Sequence, residues 1–418
     1  MKACRRWIAV GLLLASGGAQ AQLLPSPAPA LGRAGGLVSD MLGRAEERVE
    51  RSDVTRLSSD ALAQRLLTTR AARLDDLLRR HDAEIELDDR REPARRGIIL
   101  LTGASGKSIE ALQSLGYGVE EEEVEGIGLA LARITAPPGR SLSHALRQVR
   151  AIAPEAEASA DNLYFPSGAA MGLSSAMLAE NGPVTTRAAG LIDGGVARHP
   201  SLSGPVEQRG FAKGAPRPSA HGTAVASLIS GAGLIRGSAP GTPLIAADVY
   251  GDDPAGGSAF AIARALGWMA ARGVQVVTVS LVGPDNPLLA GAIRLAREKG
   301  VTVVAAVGND GPAAPPAYPA SYPDVVAVTG VDARGKLLPE AGRARHVDFA
   351  APGADMFAAR MAGGKDRVRG TSFAAPLVAG RLFATGSLTR LRAEARPAGV
   401  AGRGAGAGII CGQCRNIE

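Results

Sequence analysis

From residue 189 onward the apolar positions of this chain fall into two repeating patterns. Short unbroken runs of valine, isoleucine, leucine and alanine occupy 189–193, 244–250, 274–282, 301–307 and 325–328, and their lack of polar alternation marks strands buried on both faces. Between them lie longer stretches with apolar residues at helical spacing, at 258–272 and at 286–299, where Leu288, Leu289, Ile293, Leu295 and Ala296 line one face. Strands alternating with helices predict an α/β domain built on a doubly wound parallel sheet with right-handed crossovers.

The pattern ahead of this domain is different. Strand-like runs at 97–102, 117–124, 129–135 and 156–164 and helix-like runs at 108–115 and 141–152 follow one another as βαββαβ, which predicts a small ferredoxin-like α+β unit over 97–165. Residues 22–96 read as a Pro-rich linker followed by a charged helical segment, with leucines at loose helical spacing between 57 and 78. At the start, Lys2, Arg5 and Arg6, an apolar run from Trp7 and an Ala19-Gln20-Ala21 ending make 1–21 a cleavable secretion signal, so the mature chain is expected to be secreted or periplasmic. The apolar run is short for a membrane span and no later one is long enough, so no stable membrane anchor is expected. Small polar residues at 166–184 read as a linker, 185–408 as the larger domain and 409–418 as a tail.

Charge changes the picture little. The formal net charge of +7 invites a nucleic-acid reading, but the arginines of 22–96 alternate with acids and lack interleaved aromatics, so a solvated helical face and no nucleic-acid partner are expected. Gly103 to Ser108 imitates a phosphate loop, but Leu101 stands where its first glycine belongs. Glu120 to Glu123 cannot aim all four carboxylates at one cation from a strand. Cys411 and Cys414 form a CxxC with no second ligand pair, which leaves a local disulfide or two free thiols.

Three segments carry chemistry. Gly370-Thr371-Ser372-Phe373-Ala374-Ala375-Pro376 sets a serine at a strand-to-helix turn, where free amides and the helix dipole favour an oxyanion. His221-Gly222-Thr223-Ala224-Val225-Ala226 opens a buried helix with a histidine, and Asp193-Gly194-Gly195-Val196 ends a strand with a carboxylate at a glycine turn. Singly these are a cap, a helix-start histidine and a turn residue. Together Asp193, His221 and Ser372 supply acid, base and nucleophile for acyl transfer.

In this order the segments resemble the subtilisin-like serine peptidases, the subtilase family. The serine segment matches GTSxAxP throughout and the histidine segment HGTxVA; the aspartate segment departs from D-[ST]-G-[IV] at Gly194, where the missing hydroxyl leaves the carboxylate more loosely held. The resemblance implies a serine endopeptidase hydrolysing proteins or peptides through an acyl-enzyme on Ser372. It assigns Asn309, at the end of the strand over 301–307, to the oxyanion hole beside the Ser372 amide. Ser280, Leu281, Val282 and Gly283 would bind the substrate backbone, with Ala305, Ala306, Val307 and Gly308 beside the residue before the scissile bond. The small apolar side chains there suit a large apolar residue, and Asp310 admits a basic one. The resemblance makes 97–165 a prodomain that inhibits its own enzyme, with 166–184 as the processing linker. It requires no cofactor for the chemistry, leaves structural calcium open, and is compatible with a monomer. The competing reading is a catalytically impaired subtilase-fold peptide-binding protein. A lipase would need GxSxG and the order serine, acid, histidine, and the chain has neither.

Overall fold

Seven parallel strands form the central layer in the computed structural model, which describes residues 58–167, 177–179 and 182–416; the signal reading of 1–21 and most of the linker at 166–184 lie outside them. In chain order these strands are β7 (Ala189–Asp193), β8 (Val206–Gly210), β9 (Leu244–Asp248), β10 (Val276–Val279), β12 (Thr302–Ala306), β13 (Val325–Val331) and β14 (Phe349–Pro352), and in space they run β14-β13-β12-β10-β7-β9-β8. Consecutive residues enter opposite cores. Ile192, Val277, Val303 and Ala305 join the packing under α5 (Ala259–Ala271) and α6 (Pro287–Glu298), whereas Leu191, Val276, Val304 and Ala306 join that under α4 (Ala220–Ser230) and α7 (Ala375–Thr385). Burial on both faces is why these strands read as unbroken apolar runs.

The expected strand over 274–282 is two elements. β10 stays in the sheet, and after Ser280 the short β11 (Leu281–Val282) leaves it to pair antiparallel with β6 (Phe165–Pro166). Four strands without a distinctive apolar run, β8, β14 and the hairpin of β15 (Met356–Ala359) with β16 (Lys365–Val368), had no counterpart in the sequence reading.

The smaller sheet is antiparallel, with β2 (Pro93–Thr102) between β5 (Glu157–Asn162) and β4 (Leu129–Thr135), and β3 (Gly118–Val124) beyond β4. This is the ferredoxin-like order. It begins earlier than residue 97, because β2 starts at Pro93 and β1 (Ile85–Leu87) pairs with it. One face carries α2 (Gly106–Ser114) and α3 (Leu142–Ile152) over Ile99, Leu101 and Ile134. The other face gives Ile98, Leu100, Val124 and Leu131 to the core of α5 and α6. The two units thus share one packed interface.

The helical segment forms α1 (Ser59–Arg80), N-capped by Ser58. Its arginines are not merely a solvated face, since Arg70 and Arg73 pair with Asp310 of the larger domain. The phosphate-loop mimic is the cap of α2, where Glu155 accepts from the Ser105 amide and the Ser108 hydroxyl; these bonds lower its carboxyl to about 2. Glu120 pairs with Arg133 across β3 and β4. The expected tail does not begin at 409, because Ile410 is buried and donates its amide to Ala350, and Arg415 is tied to the Ala354 carbonyl at 2.6 Å. Cys411 and Cys414 form a disulfide.

Candidate active site

Asp193 ends β7, where the strand order reverses: β9 and β8 lie on one side of β7 and β10 on the other, so the loops part and leave a crevice at the carboxyl edge. His221, in the first turn of α4, faces it. Its Nδ1 lies 3.0 and 2.8 Å from the two Asp193 carboxylate oxygens, and both side chains are buried. This contact holds the proton on Nδ1 and leaves Nε2 as the basic nitrogen.

Gly194 does not loosen the carboxylate. Its amide donates to Asp193 Oδ1 at 2.7 Å, so the backbone supplies a hold where a hydroxyl was expected. The glycine is also required by packing: a Cβ at 194 would stand 2.4 Å from Ser219 Cβ and 2.6 Å from Ser219 Oγ. Ser219 is the N-cap of α4, its Oγ accepting the Gly222 amide at 3.2 Å and its own amide reaching the Gly195 carbonyl at 2.8 Å. The strand-end turn and the start of the histidine helix therefore fit together as one unit.

Ser372 lies in a 3-10 turn, Thr371–Phe373, rather than in the helix proper; α7 follows, with Pro376 in its first turn. Gly370 enters this turn at φ 135°, a region that a side chain would strain. The Ser372 carbonyl accepts the Ser280 hydroxyl at 2.9 Å, and the next residue, Phe373, packs its ring on His221 with centroids 5.5 Å apart. His221 Nε2 and Ser372 Oγ are buried and make no hydrogen bond to each other or to another protein group. Proton transfer from Ser372 to His221 requires this bond to form on the way to the transition state.

Asn309 sits beyond β12 in a fixed orientation. Its Oδ1 accepts the Thr371 amide at 3.0 Å and the Thr371 hydroxyl at 3.2 Å, so its Nδ2 must point the other way. There Nδ2 donates to the carbonyl of Ser167. Residues 163–167 run through the crevice as an added strand: Phe165 and Pro166 pair with Val282 and Leu281, the Ser167 amide donates to the Ser280 carbonyl at 3.2 Å, and the Tyr164 amide donates to the Gly257 carbonyl at 2.8 Å. Gly283 leaves room for the Tyr164 ring.

The second wall along this strand is Gly257 and Ser258, while the 305–308 segment lies toward the cavity beside Ser167. Ala305 and Ala306 point into the two cores, and only Val307 and Gly308 of that group line the neighbouring cavity. Gly257, at φ +75° and without room for a Cβ beside the Tyr164 carbonyl, was missed, although a Gly-Gly pair before a helix cap is a signal of close backbone approach. Ser167 was also missed, its tripeptide being too ordinary to announce itself. A cavity of about 780 Å³ adjoins Ser167 and is walled by Val282, Gly308, Asn309 and Asp310 on one side and by α1 on the other.

The loop carboxylates at 252 and 253 face arginines, Asp252 pairing with Arg217 at 3.3 Å and Asp253 with Arg95 at 2.7 Å. Among the described residues no cluster of three or more acidic, histidine or cysteine side chains is arranged to hold a metal ion. No helix among them is long and apolar enough to cross a membrane.

Comparison with known proteins places this geometry among relatives. Residues 189–385 match the subtilase family. The chain is 34% identical to subtilisin BL of Lederbergia lenta over 46% of its own length and 72% of that protein. It is 32% identical to the minor extracellular protease Epr of Bacillus subtilis and 33% identical to the major intracellular serine protease of the same organism, but spans only 26% and 53% of their lengths. In fold it resembles fervidolysin of Fervidobacterium pennivorans, described as a keratinolytic enzyme related to subtilisin, with a TM-score of 0.61 at 18% identity over 78% of this chain and 61% of that one.

Proposed function

The chain belongs to the subtilase family, and from that premise we propose that it is a serine endopeptidase made as a self-inhibited precursor that cuts itself between Ser167 and Gly168. The observation that carries the reading is the Ser167 carbonyl held by the Asn309 side-chain amide, with the three preceding residues laid in the crevice as a substrate strand. A carbonyl at that donor is where negative charge develops during attack.

The mechanism follows from the groups present. Ser372 Oγ attacks the Ser167 carbonyl carbon while His221 Nε2 takes the hydroxyl proton, and the imidazolium is stabilised by Asp193 through Nδ1. Asn309 holds the oxyanion, and Thr371 keeps its amide aimed there. Collapse breaks the bond to Gly168, whose nitrogen receives the proton from His221, and water then releases the Ser167 carboxylate by the reverse sequence. No step needs a metal or an organic cofactor. The α+β unit acts as the inhibitor because its sheet packs on α5 and α6 and delivers residues 163–167 to the crevice. The signal-like start directs the precursor out of the cytoplasm, where a monomer would process itself and then cleave proteins or peptides.

The test compares wild type with Ser372→Ala by intact mass and N-terminal peptide mapping after export or refolding, with a fluorophosphonate label for Ser372. A new N-terminus at Gly168 in wild type alone, with labelling of Ser372, supports the whole reading. Labelling with a cut elsewhere removes the self-cleavage site but leaves the peptidase. Absence of both label and cut refutes the peptidase and favours a peptide-binding protein.

A further inference from the structure

Asp248 closes β9 as Asp193 closes β7, and the two strands run parallel with these residues directly opposed. Leu191 and Ala246, two residues earlier on each strand, enter the same core, so both carboxylates face α4. Asp248 is buried, and its carboxyl stands above the ordinary range, through burial first and through the neighbouring Asp193 as well, against the pull of three backbone amides. Burying a second negative charge there works against stability, so packing alone does not account for it.

The two oxygens of Asp248 hold different parts of the site. Oδ2 accepts the Arg217 amide at 2.7 Å, and Oδ1 accepts the amides of Tyr250 and Gly251 at 2.9 and 3.0 Å. The Arg217 guanidinium pairs with Asp252 at 3.3 Å, and it is the backbone of Arg217 that Asp248 holds. That bond fixes the segment leading into α4: Pro218 bridges to Gly195, the Ser219 amide reaches the Gly195 carbonyl at 2.8 Å, and Ser219 caps the helix in whose first turn His221 stands. A Cβ on Gly195 would lie 2.3 Å from the Arg217 carbonyl oxygen, so residues 217–219 are held between the Gly195 turn and Asp248 without slack. The other oxygen fixes the loop after β9, whose Tyr250 hydroxyl donates to the Tyr164 carbonyl at 2.8 Å, in the strand that lies in the crevice.

We infer that Asp248 is a positioning residue of the peptidase. Through the Arg217 amide it sets where α4 starts, and hence where His221 Nε2 stands toward Ser372; through Tyr250 it sets the end of the substrate strand remote from the scissile bond. The inference rests on the peptidase reading above. One carboxylate thereby keeps the base and the substrate strand in a common frame, which is what proton transfer over a short distance demands.

The two arms separate by experiment. Asp248→Asn keeps an oxygen for the side that receives two amides and turns an NH2 group toward the Arg217 amide, donor against donor, so it breaks the arm to His221 alone. Tyr250→Phe leaves Asp248 intact and removes only the hydroxyl on the substrate strand. kcat and KM are measured on a peptide long enough to reach from the position of Ser167 back to that of Tyr164, with active enzyme counted by fluorophosphonate labelling of Ser372. We expect Asp248→Asn to lower kcat per labelled site about tenfold with KM within about twofold, and Tyr250→Phe to raise KM about fivefold with kcat within about twofold. A loss in Asp248→Asn confined to the labelled fraction, with kcat per labelled site unchanged, means a merely structural role and overturns the inference. If Asp248→Asn yields no folded protein, Asp248→Ser, whose hydroxyl is too short to reach the Arg217 amide, is read by the same constants; failure of that variant to fold even as the full-length Ser372→Ala precursor makes Asp248 a stability residue and refutes the positioning role. If wild type is neither labelled nor cleaves the peptide, the peptidase reading itself fails and takes the inference with it; labelled, active wild type with an equal kcat in Asp248→Asn refutes the inference alone.

Discussion

Restoring the family's hydroxyl at position 194 should damage this protein rather than improve it. In Gly194→Ser the new Cβ would lie 2.4 Å from Ser219 Cβ and 2.6 Å from Ser219 Oγ, and neither atom is the end of a long side chain that can swing aside. Ser219 must move, and its hydroxyl then leaves the Gly222 amide it caps. Overpacking of this kind costs about 1–3 kcal/mol and a lost serine cap about 1 kcal/mol, so a destabilisation of about 2–4 kcal/mol is expected. The same displacement moves His221, two residues on, and a shift of about 1 Å at a catalytic base lowers turnover by up to about a hundredfold.

The assay is a double-mutant cycle read by urea denaturation, on the Ser372→Ala background so that no molecule digests another. Ser219→Gly removes both clashing atoms and by itself costs only a few tenths of a kcal/mol, because glycine is a tolerable cap. Combined with Gly194→Ser it should recover about 2 kcal/mol or more of the single-variant loss. If Gly194→Ser is neutral within about 0.5 kcal/mol, or if the two changes simply add, the account of why this chain departs from the family pattern is wrong.

Two further outcomes are expected. Thr371→Val leaves the Thr371 amide on Asn309 but removes the hydroxyl that bonds both Asn309 Oδ1 and the Gly308 carbonyl; a loss of about 1 kcal/mol should slow hydrolysis about fivefold, and an unchanged kcat would deny Thr371 its positioning role. Asp161, buried at the interface with its Oδ1 on the Phe260 amide, is pushed above its ordinary carboxyl range by burial, against the opposing pull of Arg95. A raised pKa means that the folded precursor holds a proton more tightly than the unfolded chain, so this contribution to stability is complete below the unfolded value and is lost as pH rises through the folded one. The denaturation midpoint of the Ser372→Ala precursor between about pH 4 and pH 7 should therefore fall less steeply with rising pH in Asp161→Asn than in its parent, and parallel curves would exclude Asp161 as the titrating group.

The parts of the fold legible in the sequence were those that local chemistry determines. Central strands such as β12 announced themselves because both faces are covered, and α5 and α6 because Ser258 and Asn286 cap them at the predicted starts. β8 was not legible: its Glu207 and Arg209 lie on an edge strand, where only alternate positions are deeply buried. The bend after Ser280 was hidden for the opposite reason, since Val279 and Leu281 are equally apolar and only the partner differs, the main sheet for one and Phe165–Pro166 for the other. A partner's identity is a tertiary fact that periodicity does not encode.

The same distinction separates the two halves of the site. Asp193, His221, Asn309 and Ser372 stand in segments whose glycines and small residues are demanded locally, by the close approach of Gly222 to the Gly194 carbonyl and by the backbone angle at Gly370, so the motifs carry their geometry with them. Ser167, Arg70 and Arg73 have no such local signature. Their placement depends on the antiparallel sheet packing on α5 and α6, on β1 and β2 extending that sheet back toward α1, and on Leu77 of α1 packing with Ile85 and Leu163. Leu163 belongs to the strand that fills the crevice, so the contact that seats the helix over the cavity and the contact that seats the Ser167 carbonyl at Asn309 are parts of one packing arrangement. Cleavage after Ser167 would sever the covalent continuity of that arrangement with the enzyme, and both obstructions would then depart together.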